Sequence, residues 1–73
     1  MTPEQGRNKI DQHLQRGNGI YARGKGLGGR YFMARVKEAA LQVWDGDVWA
    51  NVPRGAQFNA GCGGGPLFEY EDG

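Results

Sequence analysis

The side chains able to do covalent chemistry are few in this chain. It contains no serine, and Thr2 is its only threonine. A Ser-His-Asp arrangement is therefore impossible, and so is serine phosphorylation. Cys62 and His13 are each the single residue of their kind, so together they form the one formal nucleophile–base pair. Four glycines flank Cys62 in the run G-C-G-G-G, which holds a thiol poorly, whereas nucleophilic catalysis needs a fixed geometry. One Cys and one His cannot complete a zinc site within a single chain. Asp45 and Asp47 flank Gly46 and could be imagined around a cation, but turn chemistry accounts for both more simply. The reading is of a non-enzymatic protein with no cofactor and no metal.

Two stretches can bind without catalysing. In residues 16–30, R-G-N-G-I-Y-A-R-G-K-G-L-G-G-R, six glycines alternate with Arg16, Arg23, Lys25 and Arg30, and no acid intervenes. Backbone amides and cations so arranged can meet phosphate in a sequence-independent, salt-sensitive way. The stretch matches neither G-x-G-x-x-G between a strand and a helix nor the G-x-x-x-x-G-K-[ST] loop. It reads as a basic, mobile connector whose charges keep it solvated. The second stretch interleaves Tyr31, Met33, Trp44 and Trp49 with Arg35 and Lys37. Aromatic and basic side chains on one surface stack unpaired bases or form the centre of a protein interface. The candidate binding residues are thus Arg23, Lys25, Arg30, Tyr31, Arg35, Trp44 and Trp49.

The elements that must position these groups follow from local patterning. Thr2, Pro3 and Gln5 form a capping box with proline at the first helical position, predicting a helix over about 3–16 that stops at Gly17. Its narrow apolar stripe is Ile10 and Leu14, and Gly6 on the flank would permit a close backbone approach. Arg7 and Asp11 are spaced for an i,i+4 ion pair. Further on, Asp45-Gly46 lies between two apolar-alternating runs, the strongest short-range signal for a two-residue hairpin. Closing it there sets Val43 against Val48, Leu41 against Ala50 and Ala39 against Val52, all on one face. Trp44, Trp49, Gln42 and Asn51 fall on the other.

A helix over 30–44 competes with this, because Phe32, Met33, Val36, Ala39, Ala40, Val43 and Trp44 share a helical arc. It would leave Leu41 and Ala34 on the wrong side and the Asp-Gly pair unused, so strands are preferred. Residues 30–37 then form a strand with Phe32, Ala34 and Val36 inward and Tyr31, Met33 and Arg35 outward. Ile20 to Arg23 reads as a short edge strand, residues 53–55 as a turn, and 56–60 as a strand carrying Phe58. Leu67 and Phe68 add an edge strand or belong to a flexible tail over 61–73.

The fold class expected is α+β, one domain over 1–73, with an N-terminal helix packed on a small antiparallel sheet of three to five strands and a Gly-rich basic loop. With 73 residues and 14 glycines the core is small, so a homo-oligomer is a live expectation. The net charge of +1 hides an asymmetry: residues 1–37 carry +6 and residues 38–73 carry −5. That distribution suits an anionic partner for the first half or self-association between halves. No secretory pattern or membrane-length apolar run occurs, so a cytoplasmic protein without a membrane partner is expected.

Three functions fit. The first is recognition of a protein or nucleoprotein complex by occupying its surface, as small phage-encoded inhibitors of host-defence complexes do; size alone suggests this comparison. The second is a nucleic-acid-binding module using the basic loop and aromatic face. The third is a nucleotide sponge built at an oligomer interface.

Overall fold

A computed structural model describes residues 1–61 and 68–71. Cys62 and Leu67, and most of the expected tail, lie outside these described residues. Helix α1 spans Pro3–Gln15 and begins as its sequence requires. The Gln5 backbone N–H donates to the Thr2 hydroxyl (3.3 Å), and the Gln5 side chain accepts from the Thr2 N–H (3.0 Å). Arg16 caps the C-terminus, and Gly17 follows in the left-handed region at φ 80°. Gly6 faces the core so closely that a Cβ there would lie 2.8 Å from Leu41 Cδ2. The Arg7–Asp11 ion pair forms at 3.9 Å on a half-exposed surface, where it contributes little to stability.

Seven strands follow: β1 Ile20–Gly24, β2 Leu27–Tyr31, β3 Met33–Lys37, β4 Ala40–Trp44, β5 Trp49–Asn51, β6 Gln57–Ala60 and β7 Phe68–Glu69. The architecture is α+β, but the strands divide between two antiparallel sheets, of order β2-β1-β6-β7 and β3-β4-β5. One core lies between them. Ile10 from the helix meets Ile20, Ala22, Tyr31, Phe58 and Phe68 from the larger sheet and Leu41, Val43 and Val52 from the β4–β5 arm. Phe58 and Phe68 stack at 4.9 Å between centroids.

Residues 30–44 are strands and not helix. The single strand expected over 30–37 is broken at Phe32, however, where the chain passes from one sheet to the other. Phe32 donates its N–H to the Trp44 carbonyl (2.9 Å), and alternation restarts one residue out of phase beyond it. Tyr31, expected outside, is therefore buried at 3% exposure, while Phe32, expected inside, is 45% exposed.

The Asp45-Gly46 hairpin forms with a four-residue loop in place of two. Asp45 Oδ1 accepts the N–H groups of Asp47 (2.8 Å) and Val48 (2.9 Å), so the loop closes on its first side chain. Trp44 consequently faces Trp49, and Val43 faces Ala50. The shift is two residues, which preserves sidedness: Leu41, Val43 and Val52 still join the core. Val48 does not, standing 54% exposed in the loop. Ala39 leaves the ladder too, forming with Glu38 a two-residue turn in which both residues have positive φ (54° and 61°).

Most of the glycine-rich stretch is strand. Residues 20–24 and 27–31 pair as a hairpin closed by Lys25 and Gly26, so the expected connector is itself half of the larger sheet. The turn at 54–55 and the strand carrying Phe58 occur as expected.

Candidate aromatic and basic surfaces

Cross-strand register assembles the outer face of the smaller sheet. Met33, Trp44 and Trp49 make one row across β3, β4 and β5; Arg35, Gln42 and Asn51 make the next. Trp44 and Trp49 contact each other with ring centroids 5.5 Å apart and planes tilted by 48°. The Arg35 guanidinium lies 4.1 Å from the Trp49 ring centroid. Its Nε donates to Gln42 Oε1 (2.7 Å), and Gln42 Nε2 donates to Asn51 Oδ1 (2.6 Å). Arg35 is thereby held over the indole by a chain of hydrogen bonds running across three strands.

Three of the four large exposed apolar groups lie at the Trp end of this face. Among the described residues, the large hydrophobics standing well out of the surface are Phe32, Met33 (47% exposed), Val48 and Tyr21. Met33 is in the Trp row, and Val48 immediately precedes Trp49. Phe32 sits at the sheet corner, 3.8 Å from where a Cβ on Gly46 would be. The Arg30 guanidinium covers its ring at 5.1 Å. A groove of about 390 Å³ runs alongside, bounded by Asp11, Leu14 and Gln15 of α1 and by Phe32, Met33, Ala34 and Trp49. Partial burial on this wall lifts the Asp11 carboxyl above its ordinary range, against the opposing pull of the Arg7 cation.

The seven residues expected to bind therefore separate. Arg35, Trp44 and Trp49 share the face described above. Arg23, Lys25 and Arg30 belong to the glycine-rich hairpin on the larger sheet, where Arg23 and Arg30 point outward beside Tyr21. Arg30 alone reaches toward both surfaces, through its contact with Phe32. Tyr31 is in the core and is removed from the set. Phe32, Val48 and Tyr21 are added. Tyr21 was legible in the sequence, since Ile20, Tyr21, Ala22 and Arg23 alternate apolar and polar. Phe32 was not, because only the passage between sheets turns it outward.

These surfaces can stack rings, bury apolar groups and pair with anions. Among the described residues, no group of three His, Cys, Asp or Glu side chains is placed to hold a metal ion. His13 Nδ1 is buried without a hydrogen-bond partner, and its formal partner Cys62 lies outside the described residues. No described helix is long and apolar enough to cross a membrane. The chain matches no known protein family, no characterised protein and no solved structure.

Proposed function

We propose that this protein is a non-catalytic recognition module that occupies the surface of a partner protein through the outer face of its three-stranded sheet. The observation that carries this reading is the clustering of Phe32, Met33 and Val48, all exposed, around the Trp44–Trp49 pair. Scattered apolar side chains are ordinary on a protein surface, whereas a contiguous patch of them is not. Trp, Phe, Met and Arg are also the residue types enriched at interface centres and among the side chains that dominate binding energy.

Rigidity favours the same reading. Arg35 is already fixed by Gln42 and Trp49, so little side-chain entropy remains to be lost when a partner arrives. The adjoining groove supplies a concave wall into which a partner's apolar side chain fits beside Leu14 and Met33.

The experiment is affinity co-purification from the source cells, followed by measurement of the captured partner's affinity with purified components. Trp49→Ala is expected to weaken that affinity 30-fold or more, roughly the 2 kcal/mol of a hot-spot residue. Met33→Glu, at an exposed position outside the core, should weaken it without altering the circular dichroism spectrum. A partner that binds both variants as tightly as the unmodified chain would remove this face from consideration.

A further inference from the structure

The glycine-rich hairpin builds a second surface that the tryptophan patch does not use. On the outer face of the four-stranded sheet, Arg30, Tyr21 and Asn59 form one cross-strand row. Arg23 lies in the next row, between Gly28 and Gln57. Tyr21 is 40% exposed, and its ring rests on Gly61, where a Cβ would come within 2.9 Å of Cε2. A cleft of about 230 Å³ opens beside the ring, walled by Arg23, Asn59 and the bare backbone of Gly29. Gly29 has a φ of 124°, open to glycine and strained for other residues, and a Cβ there or at Gly28 would meet nothing within 4 Å. The part of β2 at Gly28 and Gly29 is therefore a shelf without side chains.

Cations surround this shelf. Arg23 and Arg30 are diagonal neighbours on paired strands, a relation that separates them by about 7–8 Å. Lys25 stands at the hairpin turn, its stem packed on Gly55. Among the described residues, none of the three is paired with a carboxylate. Glu69, in Arg23's row but two strands away, takes a 3.4 Å hydrogen bond from Gln57.

An exposed ring flanked by cations that no described carboxylate pairs, beside two bare glycines, matches the needs of an unpaired nucleotide: a π-face for the base and positive charge for the phosphates on either side. We infer that this face binds single-stranded nucleic acid, with a base stacked on Tyr21 and the adjacent phosphates on Arg23, Arg30 and Lys25. Duplex nucleic acid offers no free base face and would leave the ring idle. An acidic peptide would use the cations without needing the ring. The site lies on the other sheet from the tryptophan patch and, among the described residues, touches it only through the contact of Arg30 with Phe32.

The full chain is titrated, by fluorescence anisotropy, against a labelled oligothymidylate of about 12 nucleotides and a duplex of equal length, starting near 50 mM salt. The single strand is expected to bind more tightly than the duplex and to weaken as salt rises. Tyr21→Ala should weaken binding about 5- to 150-fold and Tyr21→Phe should preserve it. Arg23→Gln and Lys25→Gln should each lower the log–log salt slope by about 0.7, and Trp49→Ala should leave binding unchanged. Should Tyr21→Ala fail to fold, the two exposed cation variants decide the matter. The inference is overturned by no binding at the lowest salt, by duplex binding as tight as single-strand binding, or by unchanged slopes in the cation variants. Undiminished affinity in a folded Tyr21→Ala protein would overturn it equally.

Discussion

Asp45 shows how one side chain decides a local geometry that composition leaves open. Its carboxylate accepts N–H groups from Val48 and Asp47, and those two bonds hold its pKa below the ordinary value of 3.8, mainly through Val48. A carboxylate with a depressed folded-state pKa stabilises the fold above its unfolded pKa, and that contribution fades as pH falls through the folded value. Asp45→Asn keeps an acceptor oxygen and loses the charge. The urea midpoint of the unmodified chain should therefore exceed that of Asp45→Asn at pH 7, with the gap narrowing as the pH is taken below 3.8. A gap that does not change with pH would show that the charge is irrelevant to the loop. Asp11 acts in the opposite sense: its raised pKa makes ionisation a cost to the folded state, relieved on acidification. Comparing Asp45→Asn with the parent chain cancels the Asp11 contribution, which both proteins share.

At the level of elements, the sheets are organised by their turns. The tight turn between β3 and β4 uses Glu38 and Ala39, both with positive φ, although neither is glycine, asparagine or aspartate. The left-handed conformation costs an L-residue with a Cβ about 1–2 kcal/mol. Ala39→Gly removes that strain and adds about 0.5–1 kcal/mol of chain entropy to be lost on folding, so a net gain of about 0.5–1 kcal/mol is expected. The same replacement one position on, Ala40→Gly, lies in β4 and should be destabilising. Denaturant titration of the pair tests the turn directly; a destabilised Ala39→Gly would mean that strain there is negligible. The strained turn also bears on function, because it joins the strands that carry Arg35 and Trp44 to the recognition face.

The whole molecule depends on one core. Phe58 is fully buried and stacks on Phe68, while β6 pairs with both β1 and β7. A domain of this length has about 4–11 kcal/mol of stability. Phe58→Ala should cost about 3–5 kcal/mol of it, a large drop in the unfolding midpoint that unfolds the chain outright at the low end of that range. Retention of a sharp unfolding transition with an unchanged midpoint would show that the two sheets do not share a core. By contrast, the surfaces proposed for binding lie on the outer faces of the sheets. The charge asymmetry is likewise resolved by folding: Arg23, Lys25 and Arg30 collect at the β1–β2 hairpin, whereas Asp45 and Asp47 sit at the β4–β5 loop of the other sheet.

By itself, the sequence determined what depends on neighbours along the chain. The capping box placed α1 to within a residue, because its donors and acceptors lie three residues apart. Alternation over Leu41, Val43, Trp44 and Trp49 assigned those side chains to their faces, since a period of two survives a register shift of two. Only tertiary structure decided the rest. The β4–β5 register is the exception, since the Asp45 carboxylate that sets it takes its donors only two and three residues along the chain. The exchange of Tyr31 and Phe32 depended on a strand passing between sheets, a corner whose phase no local pattern records. The glycine-rich hairpin sits inside a sheet because its β1 strand pairs a second time, with β6 more than thirty residues away. The division into two sheets at Phe32 is what separated the basic hairpin from the tryptophans and left two surfaces where residue types alone suggested one.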